Sequence, residues 1–409
     1  MHRSVSRAAI GIGIALVLSA CSQGPGGPAG LSLPARPAAP ARAAGLAFPG
    51  TVGLGKILNT KDGGQIFGFD VNQNGTDGIL ASAADTSQPG VFKVSVETFD
   101  QNSGKITKSF ASSTGKRNSY AVDGIYMGDA ALVTHFVTPK GTIYATRKYR
   151  TVAPVTAGKF TGNWTPPIAD IDVQEGAENQ ATSTAVLFAI ELKNQDNPDL
   201  LVSNVAANTF SNVIHLDPNL FGGANGPQLG QYTAANEAVF ALSPDGGAVG
   251  GVPPVNVLIN LQSGSQTKFN GYNNGPFHAG FVNGLAVDPN TGIAATTTEL
   301  NAQVEFYDLN KKTGIAAVQL PCTGSSSQSN SGAGIAVDPV HKLFLVTDPF
   351  YCSGSQGSAL LIYDEQGNLV ETITGFAFAI AEPAPALNPG KRMGWAFGPQ
   401  FSQLQQFFY

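Results

Sequence analysis

Two segments that lie 50 residues apart repeat one pattern, and this repeat constrains the fold more than any other feature of the sequence. GLAVDPNTG begins at Gly284 and GIAVDPVHK begins at Gly334. A proline after a short apolar run recurs at intervals of 45, 50 and 50 residues, with an earlier member 46 residues before the first, at Pro198, Pro244, Pro289, Pro339 and Pro389. A period of about 40–50 residues made of short strands predicts an array of similar units, each buried only when its neighbours stack on it.

Each repeat unit divides into four short strands. The unit that begins at Gly334 reads GIAVD, LFLVTD, LLIYD and LVETITGF, and the preceding unit reads GLAVD, IAATTTE, VEFYDL and GIAAVQLP. The proline after each first strand has no N–H for a ladder and therefore belongs in the turn. Because the strand cores are apolar on both faces, we predict an all-β fold: a β-propeller of about seven four-stranded blades, with six blades as the alternative.

The two ends of the repeat region set the expected domain boundaries. The last unit has three strands, PALN, MGWAFG and LQQFFY, so an N-terminal strand is expected to complete it, either KILNT at 56–60 or QIFGFDV at 65–71. We predict one propeller over residues 50–409. The alternative is a small separate β domain at 50–160, followed by a propeller at 165–409.

The repeat is similar to a broad group of known propellers. GLAVDP and GIAVDP, followed by VEFYDL and LLIYD, resemble the NHL, YVTN and SMP-30-like propellers over roughly residues 180–409. This resemblance implies the fold and leaves the function open, because those propellers include enzymes, ligand-binding proteins and scaffolds.

The N-terminus predicts export and a lipid anchor. A basic start precedes an apolar run at 8–18, which is too short to span a membrane and is typical of a signal peptide. The run ends in LSAC, which resembles the lipobox of bacterial lipoproteins and implies that Cys21 is diacylated, with palmitate among its acyl chains; an ordinary secretory signal is the alternative. We expect a signal peptide at 1–20, the lipidated cysteine and a flexible tether at 21–49, and an extracytoplasmic domain anchored to the cell membrane or the outer membrane.

The other two cysteines are expected to form a disulfide, because exported domains are oxidised. Cys322 follows the fourth strand of one predicted blade, and Cys352 lies between the second and third strands of the next. Both connections lie on the same face of a propeller, and a bridge that closes about 30 residues contributes roughly 3 kcal/mol in the chain-entropy model. The alternative is a reactive thiol or a metal site, although no CxxC is present to support zinc.

The stretch FDVNQNGTDG is a candidate calcium loop. Oxygen side chains at alternate positions before Gly75 resemble the loops of EF-hand and FG-GAP type, and the residues concerned are Asp70, Asn72, Asn74 and Asp77. The spacing is imperfect, because the closing acid comes one place early. The alternative, which we favour, is a plain hairpin with a type I′ turn at Asn-Gly.

A second candidate site follows from the resemblance to SMP-30-like enzymes, which place metal-binding acids and amides at the inner ends of first strands. The residues in comparable neighbourhoods are Glu237, His278, Asn283 and Glu382. The full ligand set of that family is not recognisable. The alternative for each residue is a solvated loop position or a hydrogen-bonded channel side chain.

Composition and motifs leave three functional hypotheses. The low charged fraction (12%) and the net charge of -5 exclude the basic footprint of a nucleic-acid binder. No phosphate loop, GxSxG elbow or HExxH motif occurs in the required context. We predict a monomeric, surface-tethered binding module for a protein, glycan or small molecule, with no cofactor other than a candidate calcium or other divalent ion. The alternatives are a metal-dependent hydrolase or lactonase of SMP-30-like type and a non-enzymatic envelope scaffold.

Overall fold

The structure of the chain is a computed structural model. It describes residues 52–87, 91–116, 120–127, 130–136, 144–150, 158–159, 171–179, 182, 184–191, 194–204, 209–217, 224–244, 255–269, 282–298, 303–321, 334–348, 358–377 and 384–409. Ala41–Tyr409 forms one compact unit. Within the described ranges, no helix is long and apolar enough to cross a membrane.

The described residues form 28 strands, which assemble into seven four-stranded antiparallel sheets. The first strand is β1 (Gly53–Asn59). The next twelve strands form sheets I, II and III, four strands each in chain order: β2 (Gln65–Val71), β3 (Asp77–Asp85), β4 (Val91–Asp100) and β5 (Lys105–Lys116); β6 (Tyr120–Met127), β7 (Ala130–Phe136), β8 (Tyr144–Arg150) and β9 (Gly158–Lys159); β10 (Ile171–Asn179), β11 (Thr184–Glu191), β12 (Asn194–Asn204) and β13 (Thr209–His215).

Sheets IV, V and VI follow the same order, and sheet VII ends the chain. Their strands are β14 (Ala224–Ala234), β15 (Glu237–Pro244), β16 (Val255–Asn260) and β17 (Gln266–Phe269); β18 (Val282–Asp288), β19 (Ile293–Thr298), β20 (Gln303–Asp308) and β21 (Thr313–Gln319); β22 (Ile335–Asp338), β23 (Leu343–Asp348), β24 (Ser358–Asp364) and β25 (Leu369–Phe376); β26 (Ala386–Asn388), β27 (Met393–Phe397) and β28 (Gln403–Phe408). A short 3₁₀ helix, Pro389–Lys391, connects β26 to β27.

Sheet VII is completed by β1, the first of the described strands. β1 pairs antiparallel with β28, with Leu58 opposite Leu404 and Asn59 opposite Gln403. The Gln405 side chain strengthens this edge, because its Nε2 donates to the backbone oxygen of Gly55 at 3.1 Å. The expectation that a strand near 56–60 fills this place is therefore confirmed, whereas QIFGFDV forms β2 and begins sheet I.

Two prolines of the sequence repeat occupy places that the repeat did not predict. Pro244 is the last residue of β15, the second strand of sheet IV, and Pro198 lies inside β12, the third strand of sheet III. Their assignment to turns after first strands was wrong, because ALSP and AVDP share composition and spacing but not position in a sheet. The prolines that do follow first strands are Pro289, Pro339 and Pro389.

The hydrophobic core lies in layers between adjacent sheets. Between sheets V and VI, Phe306 meets Phe344 edge to face with ring centroids 5.5 Å apart. Between sheets I and VII, Phe99 meets Trp395 in the same way at 5.3 Å. Among the described residues, sheets IV, V, VI and VII therefore bury both faces, as the apolar strands predicted, and each of them depends on its neighbours for this burial.

The first strands of successive sheets contact one another in a fixed order. β2 contacts β6, β6 contacts β10, and the series continues through β14, β18 and β22 to β26. β26 in turn contacts β2, which links the last sheet to the first.

Several turns after first and third strands share one arrangement. An Asp or Asn at the strand end accepts turn N–H groups through Oδ1, as in Asp288 from Asn290 at 2.8 Å and Asp308 from Lys311 at 3.0 Å. In these turns the fourth residue after the Asp or Asn has a positive φ, which L residues adopt only at a cost; these residues are Gly104, Gly264, Gly292, Lys312 and Lys342. Arg392 has a positive φ at the corresponding place after Asn388, whose side chain makes no cap. The aspartate of each AVDP segment therefore closes its own hairpin.

Candidate functional site at the ends of the strands

Five of the residues singled out in the sequence lie outside the described residues. They are Cys21, His278, Cys322, Cys352 and Glu382. The lipid anchor, the disulfide and half of the proposed SMP-30-like ligand set therefore stay predictions.

Glu237 and Asn283 lie at different ends of their sheets. Glu237 begins β15, directly after the first hairpin turn of sheet IV, and its Oε1 accepts a 2.6 Å hydrogen bond from Thr233 Oγ1. Asn283 is the second residue of β18, at the end of sheet V opposite to the first hairpin turn, residues 289–292. The structure therefore does not bring these two together, and Glu237 is on a second strand, not at the inner end of a first strand as predicted.

The loop between β2 and β3 is held by its own side chains. Asn72 Nδ2 donates to Asp77 Oδ1 at 3.3 Å, and Asn72 Oδ1 accepts from the Asn74 N–H at 3.1 Å. A hairpin is present as we favoured, but the type I′ turn was wrong: five residues separate the strands, and neither Asn74 nor Gly75 has a positive φ. Asp70 lies within β2. The calcium role of this loop remains a prediction.

In the ranges that the structure describes, no three His, Cys, Asp or Glu side chains come together as a set that could hold a metal ion.

A recurring polar contact joins successive sheets, and the sequence did not reveal it. The last residue of a first strand meets the residue directly after the third strand of the next sheet. Asn388, which ends β26, donates from Nδ2 to Gln101 Oε1 at 3.0 Å, and Gln101 follows β4. Asp338, which ends β22, accepts at Oδ2 from the hydroxyl of Tyr409 at 2.9 Å, and Tyr409 follows β28. We call this position the junction contact.

The junction contact between sheets VI and VII is fully hydrogen bonded. Asp338 is completely buried, and its Oδ1 accepts from the N–H groups of Val340 and His341. Its Oδ2 contacts His341 Nδ1 at 2.7 Å in addition to the Tyr409 hydroxyl. Burial raises the pKa of Tyr409, and the Asp338 carboxylate raises it further. The hydroxyl group therefore keeps its proton and donates the hydrogen bond to Asp338.

The junction contact between sheets V and VI pairs two acids. Asp288, which ends β18, is completely buried, and its carboxyl group lies close enough to that of Glu365, the residue after β24, for the two to interact electrostatically. Asp288 Oδ2 meets no hydrogen-bond donor among the described residues. Burial raises the pKa of Asp288, and the nearby Glu365 carboxyl group raises it further. The hydrogen bond from the N–H of Asn290 acts in the opposite direction and lowers this pKa. Thr291 Oγ1 donates to Glu365 Oε1 at 2.5 Å.

A second buried acid lies in the middle of sheet V. Glu305, on β20, is only 6% exposed, and its Oε1 has no donor within the described part of the chain. Burial raises its pKa to about 7. Tyr307 shares its face by strand alternation and donates to Asn256 Oδ1 of sheet IV at 3.3 Å. Glu305 is therefore a titratable group inside the layer between sheets IV and V.

Comparison with known proteins does not identify a family for this chain. A scan against models of protein families finds no match, and a search of curated proteins finds no significant relative. The likeness to NHL, YVTN and SMP-30-like propellers therefore rests on the residues quoted above.

Proposed function

We propose that this chain is an exported, lipid-anchored β-propeller whose loop-rich end binds a protein, a glycan or a small molecule. Three observations support closure of the seven sheets into a ring: the sequential contacts of the first strands, the contact of β26 with β2, and the pairing of β1 with β28. In such a ring each sheet is one blade, and the first strands line the axis.

The single observation that carries the binding proposal is the difference between the two ends of the sheets. One end carries short hairpin turns that are closed by Asp and Asn side chains, such as 309–312 and 365–368. The strand ends on the other side are joined by longer stretches of sequence, 245–254, 270–281, 320–334 and 349–357. Binding surfaces on rigid β scaffolds are built from such connections, since loops can vary without disturbing the core.

The disulfide proposal fits this division. Cys322 belongs to the connection 320–334 and Cys352 to the connection 349–357. The residue at the end of the first connection, Gly334, accepts a 2.9 Å hydrogen bond from the N–H of Thr347, close to the start of the second. Both connections therefore leave the same end of sheet VI, as a bridge between them requires.

The binding proposal is tested by site-specific photo-crosslinking in intact cells. A photoreactive residue is placed at Ala248 in a long connection, and the matched control is placed at Val340, a 66% exposed side chain in a short turn at the opposite end. We expect specific adducts from position 248 and none from position 340. Adducts from position 340 alone would contradict the proposal.

The anchor is tested separately, on the full-length chain. Cells fed radiolabelled palmitate are expected to label the wild-type protein but not the Cys21→Ala variant, and that variant is expected to leave the membrane fraction. Equal labelling of the two proteins would refute the lipid anchor.

A further inference from the structure

Three successive junction contacts have the same place in the fold but different chemistry. In two of them, Asn388 with Gln101 and Asp338 with Tyr409, a donor faces an acceptor. In the third, Asp288 faces Glu365, and both groups are acceptors when ionised. The position in the fold is the same in all three, because each contact joins the end of a first strand to the residue after the third strand of the next sheet.

The third junction lacks the donors that complete the second. In the second, His341 and Tyr409 both meet Asp338 Oδ2. The residue that corresponds to His341 is Thr291, three positions after Asp288, and its hydroxyl donates to Glu365 instead. Asp288 Oδ2 is left buried and without a donor among the described residues, and the Glu365 carboxyl group is close enough to act on the Asp288 carboxyl group electrostatically. Two ionised carboxyl groups that face each other in a buried site repel each other unless a positive charge lies between them.

We propose that Asp288 and Glu365 form a divalent-cation site between sheets V and VI, with calcium as the fitting ion. Calcium is bound through oxygen atoms, and this site offers two carboxyl groups from two sheets together with the Thr291 hydroxyl. Glu365 is only partly buried, so water can complete the coordination shell. The bound ion would take the place that the Tyr409 hydroxyl has in the next junction, and it would link two sheets that share no backbone ladder.

The site differs from the candidate loop at Asn72 and Asp77, which lies between β2 and β3 of sheet I. It also does not depend on the binding proposal, because it lies at the end of the sheets that carries the short turns. A site of two carboxylates belongs to the weak end of protein calcium affinities, with a dissociation constant on the order of 1 mM.

The experiment measures calcium binding by the purified full-length chain after treatment with EDTA. Isothermal titration with CaCl₂ at pH 7.5 is followed by thermal unfolding with and without 10 mM CaCl₂, with NaCl at matched ionic strength as the salt control. We expect one ion bound near 1 mM and a rise in Tm of about 2 °C, from mass action and the usual entropy of unfolding for a chain of this size.

Two variants of Glu365 decide the location of the ion. Glu365→Gln removes one charge, and Glu365→Tyr copies the Asp338–Tyr409 contact. Both are expected to lose the calcium response, and Glu365→Tyr is expected to reach a higher Tm than the wild type in EDTA. Asp77→Asn, in the β2–β3 loop, serves as the control and should keep the full response.

Three results would overturn the proposal. The first is the absence of calcium binding by the wild type, and the second is an unchanged response in both Glu365 variants. The third is a response that disappears in Asp77→Asn. Where the first result is found, a rise in the Tm of a Glu305→Gln variant on lowering the pH to 5 would show that the Asp288–Glu365 pair holds a proton instead of an ion, because the buried Glu305 no longer titrates in that variant.

Discussion

The hydrogen bond between Tyr409 and Asp338 gives the sharpest prediction about stability. Tyr409→Phe removes only the hydroxyl group, and the ring keeps its neighbours, Phe407 at 6.0 Å and the Arg392 guanidinium at 5.8 Å. The lost bond is a buried contact to a carboxylate, a class that contributes about 1.5–3 kcal/mol. Asp338 Oδ2 keeps His341 as a partner, so we expect a loss of about 2 kcal/mol in the free energy of unfolding.

The assay is equilibrium unfolding in urea at pH 7.5, followed by tryptophan fluorescence, because Trp395 is completely buried in the layer between sheets I and VII. The control is a double-mutant cycle with Asp338→Asn, in which the tyrosine bond becomes a neutral one. In that background Tyr409→Phe should cost only about 1 kcal/mol. A loss below about 0.5 kcal/mol in the wild-type background would refute the inference that this contact stabilises the junction.

Four further predictions concern single positions. Lys342→Gly should stabilise the chain by up to about 1 kcal/mol in urea, because φ is 57° at this residue, whereas Gly292→Ala should destabilise it by more than about 1 kcal/mol at φ 74°. Glu305 has a pKa near 7, above its unfolded value, so its stabilising contribution is full below about pH 4.5 and is lost as the pH rises through 7. Glu305→Gln should make the Tm depend less on pH between pH 5 and pH 8, which thermal unfolding at a series of pH values measures. Asn388→Ala removes bonds to Asn72 O, Gly75 O and Gln101 Oε1, so limited proteolysis should become markedly faster.

The strands and the hairpins of the C-terminal half could be predicted from the sequence. The strand β23, Leu343–Asp348, has the predicted bounds, and β25 and β2 also agree to the residue. These assignments rest on local signals, namely apolar runs bounded by Pro, Asp, Asn and Gly. The local signals failed at Pro244 and Pro198, because spacing and composition do not state which strand of a sheet a segment forms.

The functional candidates were predicted less well, for a different physical reason. The sequence pointed to isolated polar residues near first strands, and Glu237 proved to bond within its own hairpin through Thr233. The junction contacts were missed although AVDP marks one partner, because the other partner has no pattern of its own. It is a tyrosine, a glutamate or a glutamine in the three cases, and it lies far away along the chain.

The sequence by itself determined the units of this protein: short apolar strands, the turns between them, and a repeat that can bury its faces only by stacking. Those properties arise from residues within a few positions of one another. Only the tertiary structure decided that β1 completes sheet VII and that Asp338 meets Tyr409 while Asp288 meets Glu365. Such pairings form when separate sheets stack, so the groups that face each other are set by packing across the chain and not by local sequence.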